Sequence, residues 1–313
     1  MSATRAAQPQ PASQGSKPAL VYLYAVLPAG VDASTRLAAG SIHGLVEDAP
    51  LFAVEAAGLV AAVSLVPVAQ FDEEPLAELL ADLPRLSPLA VRHENAVHAL
   101  AERSDAIVPV SFGAIYRDTG AVERLLRHGA SRFHATLGRV RGRQEWGVKL
   151  FAEPEALARA AEAASDHLRR LDAEIAAAAP GRAYLLGKRR EQALAVEAER
   201  LGATLAVQIL QRLAPFSAEA RVDEAALASG APRLLLKAAF LVENAGADGF
   251  LAEAAAIEGE CVERGLSLQC SGPWAPYSFV TGKDAAVALA ANDTIASGTG
   301  AAASSAAAEG SAP

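Results

Sequence analysis

Aromatic side chains make up only 5% of this 313-residue chain, which holds one methionine, two tryptophans and two cysteines. The thiols Cys261 and Cys270 stand nine residues apart with no second pair, so neither a structural zinc site nor a disulfide framework can be built from them. Reduced thiols inside a cell are the expected state. No uninterrupted apolar run approaches the roughly 18 residues that suggest a membrane span. The opening MSATRAAQPQPASQGSK also lacks the apolar segment of a secretory signal, and a soluble intracellular chain is expected.

Catalytic signatures are missing too. There is no GxSxG elbow. The GK pairs at Gly187 and Gly282 have neither the upstream glycine nor the following hydroxyl of a phosphate loop. Histidines 43, 93, 98, 128, 134 and 167 are scattered, and in HENAVH the pair His93 and His98 is five apart. Five residues turn a helix by about 140°, so the two cannot share a metal, and His93 reads as a hydrogen-bonded histidine at the edge of the core. No enzyme activity, metal or cofactor is expected. A net charge of −8 argues against general nucleic-acid binding, and the basic clusters Arg139, Arg141, Arg143 and Lys188, Arg189, Arg190 read as solvated turns beside helices.

What is present is apolar periodicity, enough for two domains. Residues 19–27 (ALVYLYAVL) read as a buried strand, and LFAVEA and LVAAVSLV around Ala57-Gly58 as a hairpin. Helices are expected over 76–83, 89–103 and 119–137, with AIVPVSF between the last two as a strand. EWGVKLF (145–151) opens a second half. There Leu157, Ala161, Ala164, Leu168, Leu171, Ile175 and Ala178 alternate steps of four and three, the seam of a coiled coil. Pro180-Gly181 is expected to break that helix before a second one over 189–213. Strands SAEARV and RLLLKAAFLV, a helix over 247–264 and a last strand LSLQCSG complete the order.

The expected fold is therefore α+β, with two ferredoxin-like domains, the second carrying an inserted helical coiled-coil hairpin at about 154–214. The domains span 19–143 and 144–283. Residues 1–18 and 284–313, rich in Ala, Ser, Gly and Pro, read as disordered ends.

Against the aromatic scarcity, GPWAPYSFV (272–280) concentrates three aromatics and two prolines. Each buried aromatic removes roughly 150–250 Å² from water, so the motif either locks the fold or docks a partner. As a lock it would run extended beyond the last strand, across the domain junction, with Trp274 and Phe279 packed and the Tyr277 hydroxyl near water. Phe112 and Tyr116 are expected in the core and are the next candidates for partner contact.

Taken in order, YLYAV, IVPVSFGAIY, EWGVKLF, GRAYLLGKRR and GPWAPYSFV make the chain resemble the gas vesicle accessory proteins of the F and L type, over about residues 20–280. Ala25 and Ala275 stand where the family pattern has glycine and proline. The resemblance implies a non-enzymatic accessory or minor structural role in gas vesicle assembly, at the gas vesicle in the cytoplasm. The implied partners are the hydrophobic major shell protein, whose premature aggregation would be limited, and other accessory proteins. Partner-binding candidates are Trp274, Tyr277, Phe279, Phe112 and Tyr116. The alternative is a regulatory module binding a small metabolite between paired ferredoxin-like domains, which rests on fold analogy alone.

Overall fold

The computed structural model describes residues 18–30, 42–46, 49–223 and 232–280. The expected disordered ends, apart from Pro18, lie outside the described residues. The chain is a mixed helix and sheet protein, and its described residues divide into two compact units, one of the residues up to Arg139 together with Val280 and one of Val140–Phe279.

In the first unit β1 (Ala19–Pro28) buries seven consecutive residues, as its unbroken apolar run requires. It pairs antiparallel with β3 (Leu59–Pro67), which forms a hairpin with β2 (Phe52–Ala56). The turn has Ala57 at φ 52° and Gly58 at φ 73°, two positive values that match the right-handed twist of the flanking strands. A register shift between Leu23 and Ala25 interrupts the β1–β3 pairing. Helices α1 (Val68–Phe71), α2 (Glu73–Ala81) and α3 (Leu83–Ala101) follow. The strand expected over 106–112 shrinks to β4 (Val108–Pro109) and is joined by β5 (Ile115–Tyr116), both on β1. Pro109 has no amide to donate and Gly113 turns the chain at φ 96°, so a continuous ladder is interrupted. The sheet order is β2-β3-β1-β4, and α4 (Thr119–Val140) closes the unit.

The second unit is built on β6 (Arg143–Ala152), whose alternate residues Trp146, Val148, Leu150 and Ala152 enter the core. The seam helix is not continuous: α5 (Pro154–Ala164) and α6 (Asp166–Ala176) meet at Ser165. Ser165 is extended there (φ −94°, ψ 113°), and its hydroxyl caps the new helix by accepting from the Leu168 amide at 3.3 Å. Pro180 does not precede the next helix at a distance but begins it. It occupies the first turn, where its missing amide costs nothing, and α7 runs Pro180–Leu213. Arg190 on α7 reaches Glu162 of α5 at 3.0 Å and Asp172 of α6 at 2.5 Å, bridging the break.

Strands β7 (Glu219–Val222) and β8 (Arg233–Glu243), helix α8 (Ala247–Glu263) and β9 (Leu266–Trp274) complete the unit. All neighbours in the order β7-β8-β6-β9 are antiparallel. Phe240 of β8 and Phe250 of α8, centroids 5.4 Å apart, lie at the centre of the core with Leu213. No helix among the described residues is long and apolar enough to cross a membrane.

Candidate functional site

The closing motif is the most heavily determined feature of the second unit. Its first three residues extend β9, and β9 is the sheet edge, where a proline's missing ladder donor is tolerated, as two prolines require. Gly272 has φ 140°, and a Cβ there would sit 2.9 Å from the Glu145 carbonyl oxygen and from a Trp146 ring carbon. After Trp274 the chain leaves the sheet and coils into a 3₁₀ turn at Tyr277–Phe279, with Tyr277 N donating to Ala275 O at 2.8 Å and Phe279 N to Pro276 O at 3.1 Å.

Alternation along β6 sets the rest. With Trp146 pointing into the core, Glu145 points to the opposite face, where its carboxylate accepts from the Ser278 amide (2.8 Å) and hydroxyl (2.6 Å). Arg221 of β7 donates to the Ser278 carbonyl at 2.6 Å and lies over the Phe279 ring, 5.3 Å from its centroid. Glu145 is only 8% exposed. Burial raises its carboxyl, opposed by the two Ser278 hydrogen bonds and by Arg221. A raised folded pKa means that this contribution to stability is present below the unfolded carboxylate value and is lost as pH rises through the folded one.

Glu145→Ala is therefore expected to cost about 1–3 kcal/mol by stranding the Ser278 amide. Glu145→Gln keeps an acceptor and a polar partner for the hydroxyl, and should gain relative to the native chain as pH rises. Urea unfolding of both variants across pH 5 to 8 checks this.

The predicted residues separate by exposure. Phe279 is fully buried, with Arg221 over its ring, whereas Trp274 is 49% exposed and is not the packed lock expected of it. Tyr277 is half-buried. In the first unit Tyr116 is buried, and its hydroxyl is raised by that burial. Phe112 is half-buried, edge-on to Tyr22 (5.9 Å) and His93 (5.8 Å).

His93 lies deep in the core rather than at its edge, at 1% exposure. The Gly113 amide donates to Tyr22 Oη (3.1 Å), the Tyr22 hydroxyl to His93 Nδ1 (2.9 Å), and His93 Nε2–H to the Val110 carbonyl (3.0 Å). This chain fixes a neutral ring, and burial lowers its pKa to about 4. Tyr24, stacked on His93, bonds Ser64 at 2.8 Å and accepts from the Leu45 amide. Among the described residues no group of three or more His, Cys, Asp or Glu side chains is placed to hold a metal. Sequence reasoning missed Glu145, Ser278 and Arg221. The available signal was an acidic residue beginning a strand whose next residue is a core tryptophan.

A family model described as gas vesicle synthesis protein GvpL/GvpF matches residues 20–281. The chain belongs to this family. Gas vesicle protein L of Streptomyces sp. (strain CB03234) is 35% identical over 226 residues, covering 71% of this chain and 79% of that protein. Gas vesicle protein F2 of Halobacterium salinarum is 24% identical over 245 residues, 76% of this chain and 90% of its own length. The fold is that of the crystallised gas vesicle protein GvpF from Anabaena sp. PCC7120, with a TM-score of 0.63 at 16% identity over 84% of this chain and 98% of that one. GvpF from Microcystis aeruginosa gives 0.60 at 18% identity, over 84% and 99%. An accessory role in the gas vesicle system follows from membership in this family.

Proposed function

We propose that this family member is a non-enzymatic assembly factor that binds the hydrophobic major shell protein at the gas vesicle and limits its aggregation. The observation that carries the reading is Trp274. A large aromatic left half exposed at a sheet edge gains little from its own fold, yet its backbone pairs with Glu145 in the β6–β9 ladder, and the turn that follows is held at Ser278 by Glu145 and Arg221. A rigid, amphipathic anchor loses little entropy on binding. Tyr277, half-buried three residues on, completes the contact. Phe279, buried two residues beyond Tyr277, and in the first unit Phe112 and Tyr116 are the remaining partner-contact candidates.

We also read residues 19–143 and 144–283 as two split βαβ, ferredoxin-like domains, the second bearing a helical hairpin. The strand orders β2-β3-β1-β4 and β7-β8-β6-β9 support this.

The test is co-purification with the major shell protein from cells making both. Trp274→Ala is expected to abolish capture while shifting Tm by no more than about 2 °C. Full capture by that variant with an unchanged Tm would remove Trp274 from the interface.

A further inference from the structure

The long helix α7 has two unlike sides. One buries Gly202, Leu205, Ala206, Ile209 and Leu213 against the unit. The other carries Leu185, Val196 and Val207, which are 68%, 65% and 50% exposed. They stand at intervals of eleven residues. Eleven residues complete three helical turns with about 20° left over, so the three side chains form one narrow line about 33 Å long. Gln192 and Ala203 fall on the same line, giving steps of seven and four, the repeat that keeps an apolar stripe nearly straight along a helix. Valine is a poorer helix former than alanine or lysine, so the exposed valines serve neither local propensity nor the core.

We propose that this stripe is an isologous contact between two copies of the chain, with the α7 helices antiparallel about a two-fold axis at Val196. The spacing is itself symmetric about that residue. Such an axis sets Val196 against Val196 of the partner subunit, and Leu185 against Val207 of the partner subunit, and both contacts recur by symmetry. Charge selects the direction. In a parallel pair Lys188 and Arg189 would each face their own counterpart. In the antiparallel pair they face Thr204 and Ala203 of the partner subunit, while Arg200 faces Gln192 of the partner subunit. No like charges oppose one another. The charges beside the stripe are neutralised within each copy, Arg200 by Glu197 at 2.8 Å and Glu199 by Arg233 at 2.6 Å, so pairing strands none of them.

A line of three large apolar side chains falls short of the roughly 800 Å² per partner of a standard interface. The dimer is therefore weak, and is best read by covalent capture. The exposed Cys270 is first replaced by serine, leaving the buried Cys261. With oxidised glutathione as oxidant, Val196→Cys is expected to give a disulfide-linked dimer. Leu185→Cys and Val207→Cys are each expected to stay monomeric alone and to cross-link when mixed. Sedimentation at a few hundred micromolar should show reversible association of the native chain, lost in Val196→Glu with Tm unchanged.

Self-linking of Leu185→Cys as readily as of Val196→Cys would overturn the antiparallel arrangement. A native chain that sediments as a monomer, with no capture through Val196→Cys, would overturn the dimer. If Val196→Glu loses the shell protein while self-association is unaffected, the stripe belongs to a different partner and the proposal fails. This contact does not depend on Trp274, so the two readings fail separately.

Discussion

Replacing Phe279 with alanine is expected to destabilise the fold by about 3–5 kcal/mol, the usual range for a fully buried phenylalanine. The ring has no exposed surface, and the Arg221 guanidinium on its face would lose its cation–π contact in a partly desolvated setting. Collapse is hindered because the surrounding 3₁₀ turn is held at Ser278 from two directions, by Glu145 and by Arg221. Urea denaturation should show a lower midpoint with an unchanged slope, and Tm should fall by about 10 °C. A loss under about 1 kcal/mol would mean that the motif is a surface appendage. The contrast with Trp274→Ala is the informative part, since two aromatics five residues apart are assigned opposite duties.

The second large effect concerns acid. His93 is held neutral in the core with its pKa near 4, below its ordinary value of 6.5. A group whose folded pKa is depressed gives stability that is present above the unfolded value and is lost as pH falls to the folded one. Between about pH 6.5 and pH 4 the loss from this residue should reach about 3 kcal/mol. Protonating Nδ1 would also force the Tyr22 hydroxyl to turn away, breaking the chain that begins at the Gly113 amide. His93→Gln is expected to be less stable at pH 7 and to show a flatter profile over that window. An unchanged slope in the variant would assign the acid sensitivity elsewhere.

The sheets were legible because their cause is local. Seven consecutive buried residues in β1 and the positive-φ turn at Ala57-Gly58 leave their mark directly in the residue order. The break at Ser165 was not, since the four-and-three spacing of apolar residues continues across it and a serine can equally sit inside a helix. Pro180 was read as an interruption although the same residue is well suited to a helix start. For the closing motif, composition announced that something was anchored there. The turn that follows Trp274 is held at Ser278 by Glu145, 133 residues away in sequence, and no local pattern carries such a contact.

The bridge made by Arg190 ties three helices, α5, α6 and α7, together. The buried Leu157, Leu168 and Leu171 already seat α5 and α6, and one guanidinium adds a charged tie that reaches across the break to each of them. A brace made of charge at a partly exposed position is softened by electrolyte, whose screening length shrinks from about 10 Å at 0.1 M to about 3 Å at 1 M. Added electrolyte is thus expected to loosen this one tie, worth at most about 1 kcal/mol, while the packed leucines and the sheet keep their places.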